Sequence, residues 1–401
     1  MKYSIQTLHK PFRNFGIITI LFIMGSCAKD DDHPQVFETP KIELDGSLWF
    51  NNNSDFTELD LKNGEETKSY TAAASYGCSI FNGIFICSEG EYSGTKTLSM
   101  KNDFDGSGIW TRDYISDAIN YPELGPIAVD DNILFIGYTK INKTTYASTH
   151  HMDAVHKDTG DTAWTIDLPN EVKRLIAFNN RLIAELSVGS STQELIVINS
   201  ADGSITKRLP FTDRIGQLIA GSTSIFLMTW ENEVISLDHN LSVNWTFTTG
   251  APNLLGGYEI GNQFILYSRD NTVYSIDRNS GAQIWKKSYL EDYPLAIKIS
   301  NDQLYIIHKK EGETDTKIKI LNLQNGDELD QYTYTSQEEL EPSATKYILF
   351  DQHLLLFKII PSDNKALITL INVPEKKIVW EKPLDQVAYP SFVKTPSGYY
   401  E

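Results

Sequence analysis

The sequence predicts an all-β fold, a closed ring of eight four-stranded antiparallel blades, from three observations. From Pro40 onward no stretch holds a helical period over three turns, and short β-rich runs alternate with clusters of Gly, Asn, Asp and Ser. A polar turn recurs along the whole chain, opened by Asp60, Asn102, His156, Asn199, Asp238, Asp277, Asn322 and Asn372. Tryptophan follows that turn at Trp110, Trp164, Trp245, Trp285 and Trp380, and with two tryptophan-free copies counted the spacing averages about 45 residues. That period belongs to β-propeller blades, and eight of them use the chain from residue 41 to 401 as a single domain.

The chain begins with a different kind of segment. Lys2, Lys10 and Arg13 form a basic front, and Phe15 to Met24 is an apolar run too short for a comfortable membrane span of about 20 residues. Gly25-Ser26-Cys27 then resembles the lipobox of bacterial lipoproteins, which implies a signal peptide over 1–26 and a lipid on Cys27. Ala28-Lys29-Asp30-Asp31-Asp32 resembles the signal that sends some outer-membrane lipoproteins to the cell surface, with the periplasmic face as the alternative. Residues 27–40, ending in Pro40, read as a tether between lipid and ring.

Within each repeat two turns are legible. Upstream pairs stand at Asp45-Gly46, Asn82-Gly83, Asp131-Asn132, Asn179-Asn180, Gly221-Ser222, Gly261-Asn262, Asn301-Asp302 and Asp351-Gln352, each before an apolar run. At the downstream turn seven of the eight opening residues are Asp or Asn, whose side chains bond the backbone two residues on. Gly64, Gly106, Gly160, Gly203, Gly281 and Gly326 follow four residues later, where a positive φ is expected; the last copy has Lys376 there. After Trp380, Ala388–Lys394 and Tyr399-Tyr400-Glu401 start another unit, so this tail is expected to pair into the first blade and join the ends of the ring.

The repeats resemble the PQQ-type family, whose signature is close to A-x-D-x-x-T-G-x-x-x-W; the best copies are residues 151–164 (HMDAVHKDTGDTAW) and 275–285 (SIDRNSGAQIW). The resemblance implies an eight-bladed propeller in which Trp110, Trp164, Trp245, Trp285 and Trp380 dock neighbouring blades. The family's quinoprotein dehydrogenases are much longer and place adjacent cysteines under the cofactor, beside a calcium site. Here Cys78 and Cys87 stand nine residues apart, so no quinone chemistry and no cofactor is expected.

If Asn82-Gly83 is a two-residue hairpin turn, Cys78 and Cys87 face each other at a non-hydrogen-bonded position, and an oxidising exterior permits a disulfide there. His150, His151, Asp153 and His156 are the dense cluster of metal-ligating types. A strand puts His151 and Asp153 on one face and His150 on the other, and His156 opens a turn, so no metal site is expected. Asp161-Thr162-Ala163 resembles a short O-glycosylation acceptor, a motif that chance readily produces. No H-E-x-x-H, G-x-S-x-G or P-loop is present.

Composition narrows the partners. A hydrophobic share of 41% is enough for a core, and 35 basic against 53 acidic side chains leave a net charge of −18. Such a surface repels phosphate backbones, so nucleic acid is not an expected partner. The expectation is a monomeric, non-catalytic outer-membrane lipoprotein that binds or scaffolds envelope proteins, as do family members that help assemble outer-membrane barrels. A surface module binding glycan or another nutrient is the alternative, and a hydrolase or lyase with central acidic residues the second.

Overall fold

The computed structural model describes residues 44–400 apart from 53–54, 72–74, 82–83, 91–92, 103–106, 131, 190–191, 251–253, 289–292, 301, 310–314, 336–345, 361–364 and 386–387. The signal, Cys27 and the tether therefore lie outside the described residues, as do the Asn82-Gly83 turn and Gly106. The described residues form eight antiparallel sheets, with no helix among them.

Seven blades each take four consecutive strands in order. The sixth shows the plan, with Leu254–Ile260 innermost, then Gln263–Ser268, Thr272–Asp277 and Gln283–Ser288 at the rim. The first strands of neighbouring blades meet around the axis. Two-residue turns join first to second strands in several blades, as Phe178↔Arg181 and Phe350↔His353 show. Asn179 and Asn180 both have positive φ, the type I′ geometry that suits the right-handed twist of a hairpin.

The first blade is assembled from both ends of the chain. Ser47–Asn52, Asp55–Asp60 and Glu66–Thr71 supply its outer three strands, and Ala388–Thr395 pairs with Ser47–Asn52 as the strand inside them. The tail thus closes the ring, as its sequence led us to expect. Gly398–Tyr400 adds a short fifth strand further inward. Its Tyr400 Oη donates to Asp351 Oδ1 at 3.1 Å, and the Tyr400 ring lies 6.0 Å from that of Phe350 in the eighth blade.

The core is a set of slabs between blades. In Gln263–Ser268, Phe264 and Leu266 pack toward the fifth blade with Phe226 and Met228, while Ile265 packs toward the seventh with Leu304 and Ile306. Alternate side chains point to opposite faces of a sheet, and here both faces are covered, so second strands read as nearly continuous apolar runs. Outer strands keep a polar alternation because one edge meets water: Gln283–Ser288 buries Trp285 between exposed neighbours.

Candidate binding surface

Strand direction gives the ring two unlike faces. The turns joining first to second and third to fourth strands gather on one, the turn face. The connections from second to third strands and from blade to blade gather on the other, the loop face.

The turn face is built for holding blades together. Asp277 Oδ1 accepts from the backbone N–H groups of Asn279 at 3.1 Å and Ser280 at 2.8 Å, and Gly281 N donates to Asp277 O at 2.9 Å. The Ser280 hydroxyl and these N–H groups hold the Asp277 carboxyl below its ordinary value. The preceding blade's tryptophan then covers the turn. Nε1 of Trp110, Trp164, Trp245, Trp285 and Trp380 donates to the carbonyl of Lys157, Ser200, Arg278, Leu323 and Leu61 at 2.6, 2.9, 2.8, 3.1 and 2.7 Å. The ring of each lies on the turn glycine, so that a Cβ on Gly281 would stand 2.7 Å from Trp245.

Three joints lack tryptophan, and registers show what replaces it. The residue in the same outer-strand position is Lys68 in the first blade, Lys207 in the fourth and Asp330 in the seventh. Asp330 Oδ1 accepts from Lys376 Nζ at 2.7 Å, and Lys376 is the residue that stands in the glycine position, at φ 53°. In the seventh joint an ion pair therefore replaces a tryptophan and a glycine together. Lys207 faces the shortened turn at Asp238. Burial would raise the Asp238 carboxyl, but N–H groups of Ser242 and Asn240, with His239 and Lys207, hold it low.

The histidine cluster does not converge. His150 Nδ1 meets Thr139 Oγ1 at 3.0 Å, whereas His151 Nδ1 meets Asp167 Oδ1 at 2.7 Å from the other face of the strand. Asp153 is committed to Arg112 at 2.7 Å and Thr165 at 2.8 Å, and His156 opens its turn. Beside them burial pushes the Tyr138 hydroxyl up to about 12. Among the described residues no three His, Cys, Asp or Glu side chains come together as metal ligands. Cys87 is disulfide-bonded, and the residue opposite it in the ladder is Cys78.

On the turn face a hollow of about 360 Å³ lies between the sixth and seventh blades, lined by Asn262, Gln263, Asp277, Asp302 and Gln324 among others. Near the loop-face end of the innermost strands, Arg174 stitches the fourth blade to the fifth. Its Nη2 donates to Gly216 O at 2.6 Å and its Nη1 to Ile215 O at 3.1 Å and to Glu185. Burial raises the Glu185 carboxyl, and Arg174 opposes that shift.

The loop face also carries exposed apolar groups on consecutive blades. Ile115 (74% exposed) and Ile119 (61%) lie in the link entering the third blade, Tyr146 (74%) at its hairpin tip, Val188 (48%) in the fourth and Trp230 (53%) in the fifth. Lys143 N donates to Ile119 O at 2.8 Å, which seats the hairpin tip on that link. The Arg214 guanidinium lies 4.9 Å from the Trp230 ring centre, and Trp230 N donates to Arg214 O at 2.9 Å. Tyr146 has a signal in the sequence, since it lies in a stretch around Thr139–Thr149 that makes the interval from Trp110 to Trp164 longer than the repeat average. Trp230 carried a usable signal: it falls in the turn between Ile225–Thr229 and Glu233–Leu237, out of phase with the docking tryptophans.

No protein-family model matches the sequence, and no curated protein matches it. By structure the chain is similar to BamB from Moraxella catarrhalis, with a TM-score of 0.52 and 12% identity over 88% of this chain and 96% of that one. It is similar to the computationally designed Ika8 protein (TM-score 0.54, 13% identity, 78% and 95% covered). It is also similar to the dihydro-heme d1 dehydrogenase NirN in complex with DHE (TM-score 0.61, 11% identity, 87% and 76% covered). At such identities the likeness establishes the propeller fold, which hosts many unrelated activities.

Proposed function

We propose that the protein is a non-catalytic, lipid-anchored platform of the outer membrane, displayed at the cell surface, that holds a protein partner on its loop face. The observation that carries the binding reading is the arc of Ile115, Ile119, Tyr146, Val188 and Trp230. Single exposed apolar residues are normal, whereas several large ones on adjoining connections of one face mark an interaction surface. Aromatic anchors such as Trp and Tyr carry a large share of binding energy at protein interfaces. The anchor reading is supported by the basic front, the apolar run and Gly25-Ser26-Cys27.

A photo-crosslinking residue placed at Tyr146 in intact cells is expected to give a discrete protein adduct, and Trp230→Ala in the same chain to weaken it at least tenfold (about 1.4 kcal/mol or more). The same crosslinker at Asp202 on the turn face is expected to give none. Equal adducts from both faces would remove the loop face from consideration. Trp230 also favours a second reading, in which a saccharide stacks on the indole; a thermal shift on a polysaccharide panel that Trp230→Ala abolishes would establish it instead. Protease treatment of intact cells tests display: a ring digested only after lysis lies on the periplasmic side.

A further inference from the structure

We infer that the hollow on the turn face, between the sixth and seventh blades, is a binding site for a small primary alkylammonium group. Buried and acidic oxygens receive the ammonium, and an apolar wall receives the alkyl part.

The floor of the hollow carries the inference. Gln263 lines it and is only 6% exposed, yet its Oε1 accepts no hydrogen bond from the described residues. Its Nε2 reaches Gln324 Oε1 in the seventh blade at 3.5 Å, so the amide extends across the gap between the blades. A buried polar atom left without a partner is costly, and a donor supplied by a ligand removes that cost.

Another joint of the ring shows which group fits there. Gln263 opens its second strand opposite Asp277, as Arg181 opens that of the fourth blade opposite Asn199. Arg181 Nη1 donates to His239 O at 3.1 Å and to Asn240 Oδ1, both in the next blade's turn. Asn240 stands two residues after the opening Asp238, as Gln324 stands two residues after Asn322. The fourth joint thus fills this place with its own guanidinium, whose donors are aimed at the neighbouring turn. The sixth joint has a shorter, neutral side chain in the same position and keeps the acceptors.

Two acids stand among those acceptors. Asp277 and Asp302 both line the hollow, and the lining holds no Lys or Arg. The bonds that Asp277 accepts from Asn279 and Ser280 all fall on Oδ1, which leaves Oδ2 for a ligand. Arg278 turns away toward the fifth blade, its Nη1 donating to Glu259 Oε1 at 2.8 Å and to Ser222 Oγ at 2.7 Å. An ammonium brings three donors, enough for Gln263 Oε1, Asp277 Oδ2 and the Asp302 side chain, and its bonds to carboxylates are of the strong, charge-assisted kind. Leu323 and Ile284 supply the apolar wall, and Ile284 is 45% exposed. An alkyl chain covers that wall, as a bare metal ion would not. The volume of about 360 Å³ suits a small ligand.

Calorimetric titration of the full-length protein with 1,4-diaminobutane tests the site, with 1-butanol as the uncharged control. Saturable binding of the diamine and none of the alcohol is expected; no saturable binding of the diamine, or equal binding of both, overturns the proposal. Asp302→Asn should weaken the diamine at least about tenfold, the loss of one charge-assisted bond. Asp202→Asn, in the fourth blade's turn, should leave it unchanged. Equal weakening by both would reduce the binding to diffuse attraction by an acidic surface and overturn the site. Gln263→Arg repeats the fourth joint, so it should keep the ring folded and abolish binding; diamine binding that survives in the folded variant overturns the proposal. Should that variant not fold, the contrast between Asp302→Asn and Asp202→Asn decides alone. Nα-acetyl-lysine N-methylamide as a second probe separates the sources of the group. Tighter binding than the diamine assigns the site to a lysine side chain of another protein, and weaker binding assigns it to a free amine.

Discussion

At Gly281 two demands coincide: a φ of 72° that L side chains rarely adopt, and contact with the Trp245 ring. Gly261 meets only the first, at φ 54° with open space around it. Gly261→Ala should cost about 1 kcal/mol for backbone strain, and Gly281→Ala about 2–4 kcal/mol because overpacking is added. Urea denaturation of the two variants checks this, and equal losses would mean that the indole yields freely. Trp285→Ala should cost about 3–5 kcal/mol, since it empties a buried site and orphans the Leu323 carbonyl.

The carboxyls of Asp202, Asp238, Asp277 and Asp330 are held below their ordinary values in the folded ring. Their folded pKa lies below the unfolded one, so each contributes stability that is complete above about pH 4–5 and is lost as pH falls through the depressed value. Glu185 works in the other direction, because burial raises its pKa and acid relieves the cost of its buried charge. With Asp117, which the N–H groups of Asn120 and Ile119 also hold low, five groups against one predict a urea midpoint that falls as pH drops from about 5 to about 3. A rising midpoint over that range would show that Glu185 dominates.

Among the elements, the joints are the informative level. Asp330 and Lys376 are both near half exposed, so their pair should stabilise by no more than about 1 kcal/mol. Replacing them together, Asp330→Trp with Lys376→Gly, should build a docked joint and stabilise the ring by about 1–3 kcal/mol, whereas Asp330→Trp alone should gain less. A double-mutant cycle in urea measures the coupling; strict additivity would mean that the indole never seats. For the hairpin holding Cys78 and Cys87, mass labelling before reduction should find neither thiol, and Cys78→Ser should free the other and cost about 2–3 kcal/mol.

The repeat was legible where its signal is local. An Asp277-type turn shows itself in five adjacent residues, and the same residues carry out the geometry. Second strands such as Arg181–Ser187 were legible as strands but not by alternation, because Leu182, Ile183 and Ala184 are all fully buried between two blades. Lys207 and Asp330 read as ordinary surface charges, since their partners come from the next blade's turn and only the register brings them together. The arc was hidden for a similar reason. Exposure of Ile115, Val188 and Trp230 depends on which connections emerge on one face, and more than 40 residues separate each from the next.

The whole ring depends on a strand pairing made between its two ends. Ala388–Thr395 covers the inner edge of Ser47–Asn52, and among the described residues no other strand pairs with that edge. Ending the chain at residue 384 should uncover that edge and lower Tm by several degrees, because an unpaired strand edge invites association with other chains. Light scattering should then report oligomers; a stable monomer would show that the slab between the eighth and first blades seals the ring unaided.

That seam also sets a schedule. A chain delivered from its N-terminal end presents three strands of the first blade long before the strand that completes them. Closing a loop of about 340 residues costs roughly 5 kcal/mol of chain entropy, and contacts so distant in sequence form slowly. Every blade from the second to the eighth can assemble from neighbouring residues, while the first must wait for the last stretch to arrive. Until then Ser47–Asn52 offers a bare edge to any extended peptide nearby, so the hazardous interval for this protein is the time between its emergence and its closure.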